Sequence, residues 1–177
     1  MHFCCAVVTK EFPTDAVLSA IMAPYNDDVV YNLPEGKRPV ISWDYWRVGG
    51  RYNGEIKLNV NDTEEKYGWS FYANKKRSGR QFRSYLLEKM AKYAKPDWAF
   101  QEEDYFCSMG ARDGYLLVDG AEICDIQNLS DIGCFYLLDV NGDASERYKN
   151  EEAFDEKLQR ALKAPDAKYL TILDLHD

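Results

Sequence analysis

Asp174 and His176 stand two apart in the run "LDLHD" (Leu173–Asp177). In a strand that spacing puts both side chains on one face. A carboxylate and an imidazole sharing a face can orient each other for proton transfer or hold a metal ion. Asp44 is a third candidate, provided the sheet carries its segment, "SWDYWRVGGRYNG" (Ser42–Gly54), to the end of the chain. In an enzyme, Asp44, Asp174 and His176 are the expected catalytic set, and the matching reaction class is a metal-dependent hydrolase or nuclease acting on a nucleotide or RNA. The plainer reading is polar surface, or a structural hydrogen bond between the C-terminal strand and the Asp44 segment, since two ligands do not make a site.

The same segment offers a grip. Along an extended chain Trp43, Tyr45 and Arg47 share one side, and Asp44, Trp46 and Val48 the other. Aromatic rings beside guanidinium groups can stack on a planar ligand or a partner's side chain. Trp43, Tyr45, Trp46, Arg47, Arg51 and Tyr52 are therefore candidate binding residues. The structural alternative is a β-hairpin with aromatic cross-strand pairs and one ion pair, Asp44 to Arg47 or Arg51.

A second binding candidate is basic. "NKKRSGRQFR" carries Lys75, Lys76, Arg77, Arg80 and Arg83, with Phe71, Tyr72 and Phe82 interleaved, in an otherwise acidic chain. Such a patch can contact RNA phosphates. It is equally compatible with a solvated helix start paired to the acidic residues of Gln101–Asp104.

The chain as a whole has a net charge of −8, which disfavours non-specific nucleic-acid binding and suits a basic protein surface. Its five cysteines (Cys4, Cys5, Cys107, Cys124 and Cys134) are odd in number and show no CxxC spacing. They read as buried thiols of a reducing cytosol rather than a disulfide framework. Asp139, Asn141 and Asp143 have the first spacings of a calcium loop, but Gly142 falls in the wrong position and Asn150 replaces the closing Glu, so an EF-hand is rejected. A turn at Asn141-Gly142 explains that run better. The acidic helix face that follows it can also offer negative charge to a basic protein. No nucleophile elbow, P-loop, dinucleotide fingerprint or zincin motif is present, and no cofactor is expected. Neither a signal peptide nor a membrane-length apolar run appears, so the expected location is the cytoplasm.

The elements that would position these groups follow from periodicity. "FCCAVVT" (Phe3–Thr9) and "KYLTILDLHD" are apolar strands expected side by side at the centre of a sheet. Thr14 or Asp15 caps a helix burying Val17, Leu18, Ile21 and Met22. Asn26–Val40 reads as loop. Gly49-Gly50 predicts a hairpin between "ISWDYWRV" and "RYNGEIKLNV", and Asp119-Gly120 and Asn141-Gly142 predict two more, in "YLLVDGAEICD" and "CFYLLDVNGDASERY". "GWSFYA" reads as a further short strand. Helices are predicted at Arg80–Lys95 and Glu151–Lys163, the latter capped by Asn150. The expectation is one α+β domain over residues 1–177, with a mostly antiparallel sheet and two main helices packed on it.

"WDYWRVGGRYNG" resembles the pattern W-D-[WY]-[WY]-x-[VI]-G-G-R-[WY]-x-G of a largely uncharacterised family encoded by bacteriophages and bacterial mobile elements. Members often begin with a strand like "FCCAVVT", carry a segment like "FYLLDVNGDASE", and end near Val-Asp-Cys-His; here Leu175 takes the cysteine position and Asp177 follows. The resemblance touches both ends and the first third of the chain. It implies a phage-type origin and no particular chemistry. By association it implies an inhibitor that binds a bacterial defence complex, such as a CRISPR effector nuclease, stoichiometrically in the host cytoplasm. The partner would be a protein or ribonucleoprotein, with RNA contact through the Lys75–Arg83 patch. A third reading, a phage structural or morphogenesis protein, would show a large self-complementary apolar patch.

Overall fold

The two most apolar runs of the chain, one from each end, form its centre. In the computed structural model, which describes residues 1–59, 110–112 and 115–177, strand β1 (His2–Thr9) pairs antiparallel with β9 (Tyr169–His176) along its whole length, His2 opposite His176 and Thr9 opposite Tyr169. From Cys4 to Thr9 and from Leu170 to Leu175 every residue is buried, which is why both runs lack the polar alternation of a half-exposed strand.

Around this pair the sheet is completed by short strands. β2 (Tyr45–Val48) and β6 (Gly120–Glu122) both pair antiparallel with β9, one after the other along its free edge. On the other side β7 (Tyr136–Leu138) pairs with β1 in parallel, and β8 (Ala144–Glu146) closes the edge antiparallel to β7. A three-stranded antiparallel sheet, β3 (Ile56–Asn59), β5 (Tyr115–Val118) and β4 (Gly110–Arg112), adds Ile56, Leu58 and Val118 to the same core. The fold is α+β and mostly antiparallel, as expected, with β1–β7 the one parallel pair among the described strands.

Two of the three expected hairpins do not form. β2 pairs with β9 and β3 with β5, so Gly49-Gly50 is a crossing between sheets. Asp119-Gly120 likewise carries the chain from β5 in one sheet to β6 in the other. The two crossings meet at Ile172, where the Gly49 N–H donates to the Ile172 carbonyl at 2.9 Å and the Ile172 N–H donates to the Asp119 carbonyl at 2.7 Å. The β9 edge stays hydrogen-bonded while its partner changes from β2 to β6, which removes the need for either strand to fold back on its neighbour in sequence. The third hairpin is real: β7 and β8 pair around Gly142 at φ 83°, and the Asp139 carboxylate accepts the Asn141 and Asp143 N–H groups.

Helix α1 (Asp15–Met22) starts where the Thr14 hydroxyl accepts the Val17 N–H, and it buries Leu18 and Met22. The Asn26–Val40 stretch, expected as loop, contains a one-turn helix α2 (Asp27–Val30), because the Asn26 side chain accepts the Asp28 N–H. Helix α3 (Glu151–Leu162) is capped by Asn150, which accepts the Ala153 N–H at 3.0 Å, and it buries Phe154, Leu158, Ala161 and Leu162. Glu151 and Glu152 in its first turn and Arg160 in its last complement the helix dipole. The expected Arg80–Lys95 helix, the "GWSFYA" strand and the Lys75–Arg83 patch lie outside the described residues. Among the described residues no helix is long and apolar enough to cross a membrane.

Candidate functional site

Register places the chemistry. Residues opposite one another on adjacent strands point to the same side of a sheet. At the open end of β2-β9-β1, Tyr45, His176 and His2 therefore form one row across three strands, and Arg47, Asp174 and Cys4 the row beneath it. Both histidines of the chain stand in the first row. Each is tied through Nδ1 to a carboxylate: His2 to Asp174 Oδ1 at 2.8 Å, and His176 to Asp44 Oδ1 at 2.8 Å. The imidazole rings lie 4.8 Å apart, near-perpendicular, and the Tyr45 ring stacks on His176 at 4.9 Å.

The two dyads differ in environment. Asp174 is 2% exposed and its partner His2 16%, whereas Asp44 and His176 are 52% and 33% exposed. A buried carboxylate is costly unless its oxygens find donors. Asp174 meets that demand on both sides, because Oδ2 accepts the Arg51 N–H at 2.9 Å while Oδ1 holds His2. Asp44 lies in the bend before β2, its N–H donates to the His176 carbonyl, and its carboxylate also accepts the Tyr45 N–H. The hydrogen bond from His176 holds the Asp44 carboxyl below its usual range.

Asp44 was expected to pair with Arg47 or Arg51. It pairs with His176 because β2 lies against β9 and not against β3, which brings Asp44 to the end of the C-terminal strand. The three expected residues fall into two dyads, Asp44 with His176 and Asp174 with His2, at the same end of the sheet.

The GGRYNG turn is shaped by two buried aspartates. Asp119 is fully buried and its Oδ1 accepts the Gly54 N–H at 2.8 Å. A Cβ on Gly49 would collide with Asn53 Oδ1 and the Asp119 carboxylate, and one on Gly50 with the Asp174 carboxylate. Both glycines also have positive φ, 67° and 55°. The pair is glycine because the backbone must turn left-handed while pressed against two carboxylates. The turn carries Arg51 into the lining of a cavity that Arg47 also lines.

Among the six aromatic and arginine candidates, the structure divides the roles. Tyr45, Arg47 and Arg51 line a cavity of about 310 Å³ together with His2, Gly50, Asn53 and Asp174. Tyr45 is 45% exposed. Trp43, Trp46 and Tyr52 pack against the core instead. The Trp43 indole N–H donates to the Met22 carbonyl, and the Tyr52 hydroxyl donates to the His2 carbonyl, which steadies the strand that carries His2.

Cys4 shares the lower row with Asp174 and is buried, 3% exposed. Burial pushes its thiol far up, as it does that of Cys5, and it raises Cys134 to about 12. Among the described residues, three or more side chains of metal-ligating type come close enough to share one ion only at Glu122, Cys124 and Asp125, away from the dyads.

His2 was missed by sequence reasoning. The signal was available: laying "HFCCAVVT" antiparallel to "YLTILDLH" with flush ends puts His2 opposite His176. No family model, curated protein or solved structure matches the chain.

Proposed function

We propose that the protein is an enzyme that breaks an ester bond by paired proton transfer between its two histidines. The observation that carries this reading is the meeting of His2 and His176, each with its Nδ1 held by a carboxylate. An imidazole whose Nδ1 proton is donated to a carboxylate keeps a lone pair on Nε2. His2, lining the cavity and anchored by buried Asp174, takes a proton from the attacking hydroxyl or water. His176 in its protonated form gives a proton to the leaving oxygen, steadied by Asp44. The net transfer of one proton from His176 to His2 is reversed by solvent after product leaves. Asp174 and Asp44 are positioning residues that fix each ring's tautomer and orientation. Among the described residues the two dyads do not bring three ligand atoms within reach of one ion, so the reading assigns both histidines to proton transfer.

The test is hydrolysis of a panel of p-nitrophenyl carboxylate and phosphate esters, cyclic nucleotides and short RNA by wild type, His2→Ala and His176→Ala. Turnover that falls about 10²-fold or more in each variant supports the reading. No turnover of any ester, or variants as fast as wild type, removes it.

The phage-encoded inhibitor of a defence nuclease is a second reading, supported by the acidic row Glu151, Glu152, Asp155 and Glu156 on the exposed face of α3 and by the motif around Asp44. In it the acidic row occupies a basic nucleic-acid channel of a ribonucleoprotein. Protection of guide-bound target from cleavage at several-fold excess of this protein is its test, and substitution of the four acidic residues should abolish the protection.

A further inference from the structure

The cavity beside His2 gathers positive charge against the trend of the chain. The protein carries −8 overall, yet Arg47 and Arg51 both line this one opening beside His2. They come from β2, from the GGRYNG turn and from the start of β1. Among the described residues of the lining Asp174 is the carboxylate, and its two oxygens accept from His2 and from the Arg51 backbone N–H. The other polar side chains there are Tyr45 and Asn53, and Gly50 leaves room where any Cβ would collide with Asp174.

We propose that this cavity is a phosphate subsite, and hence that the ester acted on is a phosphate ester. Two guanidinium groups lining one space match a tetrahedral anion. A planar carboxylate would need only one guanidinium fork. At about 310 Å³ the cavity is at the small end of ligand pockets, enough for one phosphate with its attached sugar. Arg47 and Arg51 take the non-bridging oxygens, and His2 faces the bond to be broken. The inference rests on the acid–base reading for its reaction but not for its binding.

Calorimetric titration of the full chain with inorganic phosphate, ribose 5-phosphate, a ribodinucleotide, ribose and acetate tests it. The expected result is binding of the phosphate-bearing probes, with acetate and ribose at least about tenfold weaker. Binding by ribose 5-phosphate or by the dinucleotide supports the subsite in either case and tells a monoester from a diester source. Arg47→Gln and Arg51→Gln should each weaken phosphate by about tenfold or more, and Arg51→Lys by less, while the distant Arg160→Gln leaves it unchanged. Phosphate bound no better than acetate, or bound equally by folded Arg47→Gln/Arg51→Gln protein, overturns the subsite. The two proposals fail separately. Ester turnover that survives in the double arginine variant and disappears in His2→Ala sinks the subsite alone. Arginine-dependent phosphate binding without turnover of any ester sinks the acid–base reading alone.

Discussion

Asp174 holds His2 at 2.8 Å across 172 residues of chain, joining the last strand to the first through a carboxylate that is 2% exposed. The same side chain fixes the backbone of Arg51. One buried group thus sets the orientation of an imidazole and the position of a guanidinium-bearing turn, which ties the stability of the sheet's open end to the geometry of the site.

Removing that group should cost both. Asp174→Ala leaves the His2 Nδ1–H and the Arg51 N–H without their acceptor, so a loss of about 2–5 kcal/mol is expected in denaturant unfolding. Asp174→Asn can accept only one of the two bonds and should fall between Ala and wild type. A variant as stable as wild type would mean that Asp174 carries neither contact in solution.

Gly50 allows a sharper test of the turn. Gly50→Val should lose well over about 1 kcal/mol, because φ is positive and the new Cβ would meet the Asp174 carboxylate. Gly36→Ala is the control: nothing lies within 4 Å of its added Cβ, and the change should stay within about 0.5 kcal/mol. Equal stability of the two variants would contradict the close approach.

The outer dyad should show itself in acid. The Asp44 carboxyl is held below its ordinary value of 3.8 by the hydrogen bond from His176. A carboxylate depressed in the folded state contributes stability above its unfolded value, and the contribution is lost as pH falls through the folded one. Unfolding of wild type and Asp44→Asn should therefore differ above pH 3.8 and converge below it. A difference that grows as pH falls would reverse the sign and exclude the pairing.

The cap of α3 is independent of the site. Asn150→Ala removes the acceptor for the Ala153 N–H and should cost about 1 kcal/mol without changing turnover or phosphate binding. Loss of activity with unchanged stability would show that α3 communicates with the site.

Local signals in the sequence were read correctly where the structure itself is local. Thr14, Asn150 and Asn141-Gly142 act within a few residues of themselves, and the apolar runs of β1 and β9 announce their burial wherever they pair. Gly49-Gly50 and Asp119-Gly120 misled because a positive-φ glycine between two strand-like runs looks the same in a hairpin and in a crossing between sheets. What decides is the free edge of β9, more than a hundred residues beyond Gly49. Asp119 next to glycine reads as turn chemistry, yet it is a buried acceptor for Gly54 N–H. The Asp44–His176 contact follows from the same β2–β9 pairing, so the pairing error carried Asp44 to the wrong partner. His2 was overlooked because a second residue looks like a loose end. Full-length pairing of β1 with β9 makes it part of the sheet.

The most direct measurement of paired proton transfer is the pH dependence of kcat/KM for the best ester substrate in wild type, His2→Ala and His176→Ala. The account predicts a profile with a rising and a falling limb in wild type. His2→Ala should remove the rising limb, which reports the base, and His176→Ala the falling limb, which reports the acid, each with about 10²–10⁴-fold lower rate at the wild-type optimum. A profile that keeps both limbs and its height in either variant would contradict the claim that these two histidines do the chemistry.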